Sequence, residues 1–125
     1  MAAEQPKAIG VLCSGGDAPG MNAGVRAVTR AALYRGLDVW GVLDGYNGLT
    51  DGRFEPLTSI SVSGLLQRGG SIIGSGRCGA FLDPAVREAA VARLRERGIG
   101  GLVVLGGDGS LTGAMELHHL GYPTV

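Results

Sequence analysis

The chain has 125 residues, of which 45% are hydrophobic and 5% aromatic, and its 11 basic residues balance 11 acidic ones to a formal net charge of zero. This length suits one domain with its own core and excludes two domains of ordinary size. The balanced charge excludes a general attraction to nucleic acid or to an anionic membrane, so any anion site must be local. Without an apolar stretch of roughly 18 residues or a signal-type segment, the sequence indicates a cytoplasmic protein.

The many glycines and the two cysteines indicate which kinds of structure the sequence can form. The chain contains 24 glycines, far above the average share of roughly 7%, without a collagen period. These glycines are therefore expected at turns and where the backbone approaches a ligand closely. Cys13 and Cys78 are far apart and form no C-x-x-C pair, so neither a disulfide framework nor a zinc site is indicated.

The beginning of the chain predicts a β-α-β unit. Residues 7–13 form a short apolar run that is typical of a strand buried on both faces. After a glycine-rich loop, Asn22 is the expected N-cap of a helix that extends to Arg35 and stops at Gly36. Residues 37–43 are a second compact apolar run and predict the second strand.

The middle of the chain is rich in turn residues. Residues 45–56 predict a turn-rich segment, with a short hairpin around residues 53–55. One or two helical turns are expected over residues 61–67.

The last part of the chain predicts a clearer alternation. Asp83 is the expected N-cap of a helix with Pro84 at its first position and Gly98 beyond its end. Three elements then follow: a strand over residues 102–105, a helix from about Leu111 to Leu120, and the start of another strand over residues 122–125.

This alternation of strands and helices predicts the fold class. Parallel strands need crossover connections, and these are right-handed, so we expect a three-layer α/β/α domain with a mostly parallel sheet. Ligands of such sheets bind at the carboxyl ends of the strands. Two of those ends carry a Gly-Gly-Asp turn, at residues 15–17 and 106–108, so both turns are expected on the same edge.

The second turn, over residues 106–110, has the chemistry of a nucleotide-phosphate site. Glycine lets the backbone approach an anion, and a helix N-terminus offers unpaired N–H groups. Asp108 would repel phosphate unless a divalent cation lay between them, so the combination points to Mg-nucleotide. The alternative is that Asp108 only caps the helix. The first turn repeats this pattern after the first strand, although such a turn can also be purely structural.

Arginines supply the remaining candidates for contact with an anion. Arg77, in a glycine-rich loop, can hold charge on a phosphoryl group during transfer, or it can be an ordinary surface residue. The single lysine, Lys7, precedes the first strand, so there is no Walker motif. Arg26 and Arg30 share a helix face, which indicates either a solvated face or an anionic effector site.

Two further patterns are not assigned a function. Residues 74–79 match G-x-G-x-x-G, but three residues separate Gly79 from the next helix start, so we reject a dinucleotide fingerprint. His118 and His119 lie near a helix end and are expected to be non-functional.

Several motifs in order resemble those of the bacterial, ATP-dependent 6-phosphofructokinases. The opening Ile-Gly-Val-Leu-Cys-Ser-Gly-Gly-Asp-Ala-Pro-Gly-Met-Asn-Ala of residues 9–23 resembles their N-terminal signature, and Gly-Gly-Asp-Gly-Ser of residues 106–110 resembles their Mg-ATP motif. Residues 44–46, 68–70 and 75–78 fall in the family's order between them. The resemblance implies that residues 1–125 are an incomplete N-terminal ATP-binding domain.

The resemblance also implies roles for particular residues. Asp108 would serve Mg²⁺, and Arg77 would also stabilise charge on the transferred phosphoryl group. Gly109 implies ATP as donor, because pyrophosphate-dependent members typically carry Asp at that position. The residues implied to contact ATP are Gly16, Tyr46, Arg77, Cys78, Gly107, Asp108, Gly109 and Ser110.

The resemblance further implies regulation and assembly. Arg26 and Arg30 match effector-site arginines that bind ADP or phosphoenolpyruvate, although Ser59 stands where an arginine is usual. The resemblance implies that the full enzyme is a homotetramer and that fructose 6-phosphate accepts the phosphoryl group.

One expected part of the enzyme is missing from these residues. The family's catalytic base comes from a Thr-Ile-Asp-Asn-Asp stretch that these 125 residues do not contain, so the chain alone is expected to hold the donor without the acceptor. The alternatives are a non-catalytic nucleotide-binding fragment and an NAD or lipid kinase, which also uses a Gly-Gly-Asp-Gly turn.

Overall fold

The computed structural model describes residues 7–15, 19–64, 71–76 and 79–125 of the chain. They form one sheet with helices on both faces. In chain order the elements are β1 (Ala8–Cys13), α1 (Met21–Tyr34), β2 (Asp38–Val42), α2 (Tyr46–Asp51), β3 (Phe54–Leu57), a 3₁₀ helix (Gly79–Leu82), α3 (Pro84–Glu96), β4 (Leu102–Leu105) and α4 (Asp108–His119).

The sheet has the strand order β3-β2-β1-β4. β1 is parallel to both β2 and β4, whereas β3 is antiparallel to β2. Edge strand β3 is only 4 residues long and includes an exposed Glu55 and Pro56. On the other side, Thr124 forms a parallel bridge with Leu102, which agrees with the strand start predicted over residues 122–125. The carboxyl ends of β1, β2 and β4 therefore meet at one edge.

Helices cover both faces of the sheet, as the alternating pattern predicted. Val11 and Cys13 pack with Val25 of α1 on one face. Leu12 points to the other face and packs in a cluster with Leu94 of α3 and Leu117 of α4. Because neighbouring residues of β1 are buried on opposite faces, the strand is apolar without alternation. The three-layer α/β/α prediction is confirmed.

The start of α1 differs from the prediction. Its N-cap is Gly20, which makes no side-chain cap hydrogen bond. Asn22, the predicted N-cap, is instead the second helical residue and is 1% exposed. Its Oδ1 accepts a hydrogen bond from Ile72 N at 2.7 Å, so a tertiary contact replaces the local cap. At the other end, Gly36 adopts a φ of 79°, as expected for a helix stop.

The start of α4 was also predicted incorrectly. The helix begins at Asp108, not near Leu111. Leu111 N donates to Gly107 O at 3.0 Å, which closes the first turn. Glycine has low intrinsic helix propensity, yet residues 108–110, which include Gly109, are helical. They are the first turn of the helix.

The segment between β2 and β3 contains a helix that the sequence analysis missed. α2 is only 6 residues long and contains Gly48, and it ends at Gly52 with a φ of 75°. The short hairpin predicted around residues 53–55 is wrong: Phe54–Leu57 form the single strand β3, which pairs antiparallel with β2, with Phe54 opposite Val42. Of the turns predicted over residues 61–67, residues 61–64 are turn rather than helix, and residues 65–67 lie outside the described chain.

The helix α3 matches its predicted boundaries. Asp83 Oδ1 accepts from Ala85 N at 2.9 Å, Pro84 occupies the first position, and Gly98 follows the helix with a φ of 78°. Within the described ranges, none of the helices combines the length and apolar character needed to cross a membrane.

Candidate functional site

A cavity of about 880 Å³ lies at the carboxyl edge of the parallel strands. Its described walls come from the ends of β1 and β4, the first turns of α1 and α2, the 3₁₀ helix, α3, and one side of α4 from its first turn to Glu116. This is the edge at which open α/β sheets bind ligands. The two glycine-rich turns predicted to share an edge both border the cavity, through Ser14 and Gly15 on one side and through Gly106, Gly107, Gly109 and Ser110 on the other.

Backbone hydrogen bonds hold the start of the first turn against the end of β4 and against the segment of residues 71–76. Ser14 N donates to Leu105 O at 2.9 Å, and Gly15 N donates to Gly76 O at 3.1 Å. A Cβ added to Gly106 would lie 2.7 Å from Ser14 O and still closer to the Ser110 side chain. The close approach of the two turns therefore requires glycine at position 106.

Two helix N-termini face the cavity without side-chain caps. Gly107 caps α4 and Gly20 caps α1, and neither can offer a side-chain acceptor to the N–H groups of the first turn. Such N–H groups have no intrahelical partner and lie at the positive end of the helix dipole. Gly109, in the first turn of α4, has no heavy atom within 4 Å of its Cβ position. The backbone here is open to an anion.

Tyr46 forms an aromatic wall with Phe81. The Tyr46 ring stacks on Phe81 with a centroid separation of 4.3 Å and an interplanar angle of 22°. Its hydroxyl donates to Ser110 O at 2.7 Å, which ties α2 to the first turn of α4. Burial raises the pKa of Tyr46, so it remains a neutral hydrogen-bond donor. Sequence reasoning missed Phe81, because it lies in a short 3₁₀ helix without periodicity.

A strained turn places Tyr46 at the cavity. Asp44 has a φ of 55°, which is uncommon for a non-glycine residue, and Gly45 follows with a φ of 63°. A Cβ on Gly45 would lie 2.7 Å from Cys13 O. Asp44 N donates to Ile73 O at 2.8 Å, and Arg53 pairs with the Asp44 carboxylate at 2.8 Å. The turn thus connects β2 to the segment of residues 71–76.

An ion pair borders another part of the cavity. Arg87 Nη1 of α3 lies 3.2 Å from Glu116 Oε2 of α4, and the side chains are 15% and 42% exposed. Arg87 Nη2 also donates to Leu82 O at 3.4 Å. Because these residues belong to separate helices and form no motif, no sequence signal indicated their pairing.

The structure brings together four of the predicted nucleotide contacts. Tyr46, Gly107, Gly109 and Ser110 all border the cavity, and for Asp108 the structure describes the backbone, as the first residue of α4. Several predicted residues lie outside the described part of the chain, so their predictions stay untested. They are Gly16, Asp17, Arg77, Cys78 and residues 68–70.

Other predicted residues lie away from the cavity lining. Arg30 of α1 is exposed, whereas Arg26 is half-buried and its Nε has no hydrogen-bond partner among the described residues. Ser59 is exposed in a turn, and His118 and His119 are exposed at the end of α4. Across the described ranges, no three His, Cys, Asp or Glu side chains are grouped as a metal site.

The fold and cavity define the class as an α/β protein of the open, largely parallel kind, with its ligand site at the carboxyl edge of the sheet. The chain belongs to the phosphofructokinase family, because the family model described as Phosphofructokinase matches residues 8–125. This confirms the resemblance drawn from the sequence motifs and displaces the NAD or lipid kinase alternative.

Known proteins agree with this assignment. The chain is 56% identical over 119 residues to the ATP-dependent 6-phosphofructokinase of Edwardsiella ictaluri and 55% identical to that of Vibrio campbellii, which covers 95% of this chain and 37% of each relative. The Pichia pastoris phosphofructokinase structure superposes with a TM-score of 0.88 at 47% identity, covering 94% of this chain and 13% of that one. The chain thus spans 37% of the length of these curated relatives.

Proposed function

We propose that this chain supplies the Mg-ATP site of an enzyme that transfers the γ-phosphoryl group of ATP to the 1-hydroxyl of fructose 6-phosphate. The products are ADP and fructose 1,6-bisphosphate, as expected for a glycolytic phosphotransferase. The observation that carries the proposal is the pair of uncapped helix N-termini beside an aromatic wall in one cavity. The relatives' shared name, ATP-dependent 6-phosphofructokinase, supports the same reaction.

The first turn of α4 would bind the polyphosphate. Main-chain N–H groups of Gly107, Asp108 and Gly109 and the Ser110 residue would contact phosphate oxygens, since glycine leaves the backbone exposed to a bulky anion. Tyr46 and Phe81 offer an apolar surface for the remainder of the nucleotide. Family resemblance adds Gly16, Arg77 and Cys78 to these contacts.

The first turn of α4 also fits Mg²⁺ bound with the nucleotide. Magnesium sites on nucleotides use one or two carboxylates together with phosphate oxygens and water, so a cluster of protein ligands is not needed. Asp108 at the first helical position would be the carboxylate. Bound there, Mg²⁺ would neutralise phosphate charge during transfer.

The chain's own residues would position the ATP phosphates and stabilise their charge, and they would not supply the catalytic base. Arg77 would stabilise charge on the transferred phosphoryl group. Phosphoryl transfer depends mainly on such positioning, with a separate group orienting the nucleophile. The Thr-Ile-Asp-Asn-Asp stretch that would provide this group is not among the 125 residues. For the isolated chain, a non-catalytic nucleotide-binding fragment therefore remains the second candidate function.

Three further properties are proposed from the family resemblance. They are a cytoplasmic location, a homotetrameric full enzyme, and an effector site for ADP or phosphoenolpyruvate at Arg26 and Arg30. The unpartnered Nε of Arg26 in the described part of the chain supports an anion site there, whereas Ser59 removes an arginine from the usual set.

The metal role of Asp108 can be tested by replacing it with Asn. Calorimetric titration would compare ATP binding with excess Mg²⁺ and with EDTA. We expect Asp108→Asn to lose most of the tightening that Mg²⁺ gives to ATP binding, while binding of free ATP changes little. Asp83→Asn, at the cap of α3, is the matched control. If Asp108→Asn keeps the wild-type dependence on Mg²⁺, its assigned role is wrong.

A second experiment separates donor binding from catalysis. The 125-residue chain, supplied with MgATP and fructose 6-phosphate, is expected to bind ATP without forming fructose 1,6-bisphosphate. Product formation would show that the base lies within these residues. Failure to bind MgATP would contradict the proposed donor site itself.

A further inference from the structure

The ion pair between Arg87 and Glu116 is the distinctive charged feature of the cavity. Among the described residues that line the cavity, these two carry its charged side chains. Glu116 lies seven positions after Gly109 in α4, which corresponds to about 10 Å along the helix axis. The pair therefore lies well away from the helix N-terminus that would receive phosphate.

Among the described lining residues, the pairing leaves this end of the cavity electrically balanced. Arg87 is held by Glu116 at 3.2 Å and by Leu82 O at 3.4 Å, and its side chain is only 15% exposed. Removing one partner of such a pair leaves an uncompensated charge in a poorly solvated position, which is costly. An anion entering the cavity would relieve that cost.

We propose that Glu116 is a specificity-determining residue, which neutralises Arg87 and so makes the cavity select a nucleoside triphosphate over an inorganic polyphosphate. The inference rests on the proposed function, with the donor polyphosphate at the first turn of α4. The base and ribose of the donor are uncharged, so they suit a neutral region beside Tyr46 and Phe81. An unpaired Arg87 would turn the same region into a second anion site. Inorganic polyphosphate could then bind at both.

The test is the ratio of two dissociation constants, for MgATP and for magnesium tripolyphosphate, measured by calorimetry. In Glu116→Gln, which keeps the side-chain shape, we expect tripolyphosphate to bind roughly tenfold tighter than to the wild type, as expected for a newly unpaired charge. MgATP binding should change by less than about threefold. Glu88→Gln, the matched control, removes an exposed carboxylate next to Arg87 in sequence and should leave both constants unchanged.

A double variant separates charge balance from damage to the fold. Arg87→Gln/Glu116→Gln removes both charges and should return the ratio to the wild-type value. A double variant that favours tripolyphosphate would overturn the inference even if the single variant does not fold. An unchanged ratio in a folded Glu116→Gln would also overturn it, while leaving the proposed function intact. A wild-type chain that fails to bind MgATP would overturn both.

Discussion

Glycines of one turn serve different physical purposes. At Gly106 a side chain would collide with Ser14 O and Ser110, so this glycine allows two strand ends to approach each other. Gly109 has open space around its Cβ position and is exposed. Its lack of a side chain is therefore not a packing requirement, which is consistent with a role in leaving backbone N–H groups accessible to phosphate.

Substitutions at Gly109 should separate binding from stability. Gly109→Asp places a carboxylate at the N-terminus of α4, where it stabilises the helix by about 0.3–1 kcal/mol through the dipole. The same carboxylate would repel nucleotide phosphate, and we expect MgATP binding to weaken at least tenfold. Gly109→Ala, the neutral control, should bind MgATP more tightly than Gly109→Asp. Calorimetry would measure MgATP binding, and urea unfolding would measure stability. Undiminished MgATP binding in Gly109→Asp would contradict the assignment of phosphate to this turn.

Helices and strands with strong local signals were predictable, and those set by tertiary contacts were not. Asp83, Pro84 and Gly98 gave α3 both its ends, because a cap, a helix-starting proline and a left-handed glycine act locally. The N-terminus of α1 could not be read correctly, because Asn22 bonds to Ile72, 50 positions away. α2 was missed because its 6 residues include Gly48 and show no periodicity.

The same distinction applies to the candidate site. Its glycine-rich turns and their shared edge followed from the sequence, since parallel topology fixes where strand ends meet. Phe81 and the Arg87–Glu116 pair did not, because only packing between the 3₁₀ helix, α3 and α4 brings them to the cavity.

The position of α2 depends on Gly48. A Cβ at this residue would collide with the Leu43 carbonyl group, a backbone contact that cannot relax by side-chain rotation. We expect Gly48→Ala to lower the free energy of unfolding by about 1–3 kcal/mol, as overpacking does. Because α2 begins with Tyr46, binding of MgATP should weaken as well. Gly109→Ala, a helical glycine in open space, controls for helix propensity. Urea unfolding would check this, and a stability equal to that of the control would contradict it.

At the scale of the whole molecule, two buried tyrosines connect segments that are distant in sequence and pack on the same face of the sheet. Tyr46 donates to Ser110 O, and Tyr122 donates to Ile99 O at 2.6 Å. Burial raises the pKa of both, while the nearby Arg95 partly opposes the rise at Tyr122. The third tyrosine, Tyr34, is 93% exposed.

These pKa shifts predict a loss of stability in alkaline solution. A folded pKa above the unfolded value of about 10 means that the tyrosine contribution is complete below about pH 10 and is lost as the pH rises further. Each tyrosine should add a slope approaching about 1.4 kcal/mol per pH unit. Urea unfolding from about pH 8 to about pH 11, a range that spans the unfolded tyrosine pKa, would measure this decline in the free energy of unfolding. Tyr46→Phe and Tyr122→Phe should each flatten the decline. Tyr34→Phe, the control, should not, and equal slopes in all three would refute the assignment.

The two edges of the sheet differ in their ability to pair with further strands, and β3 forms the edge that disfavours pairing. Its short length, its proline and its exposed glutamate are features by which edge strands resist pairing with other chains. On the opposite side, β4 already exchanges hydrogen bonds with residues 123–125, through Leu102 N to Pro123 O and Val104 N to Val125 O. Further strands, from this polypeptide or from a neighbouring one, would therefore pair with residues 123–125 at that edge of the sheet, whereas β3 disfavours pairing at the other edge.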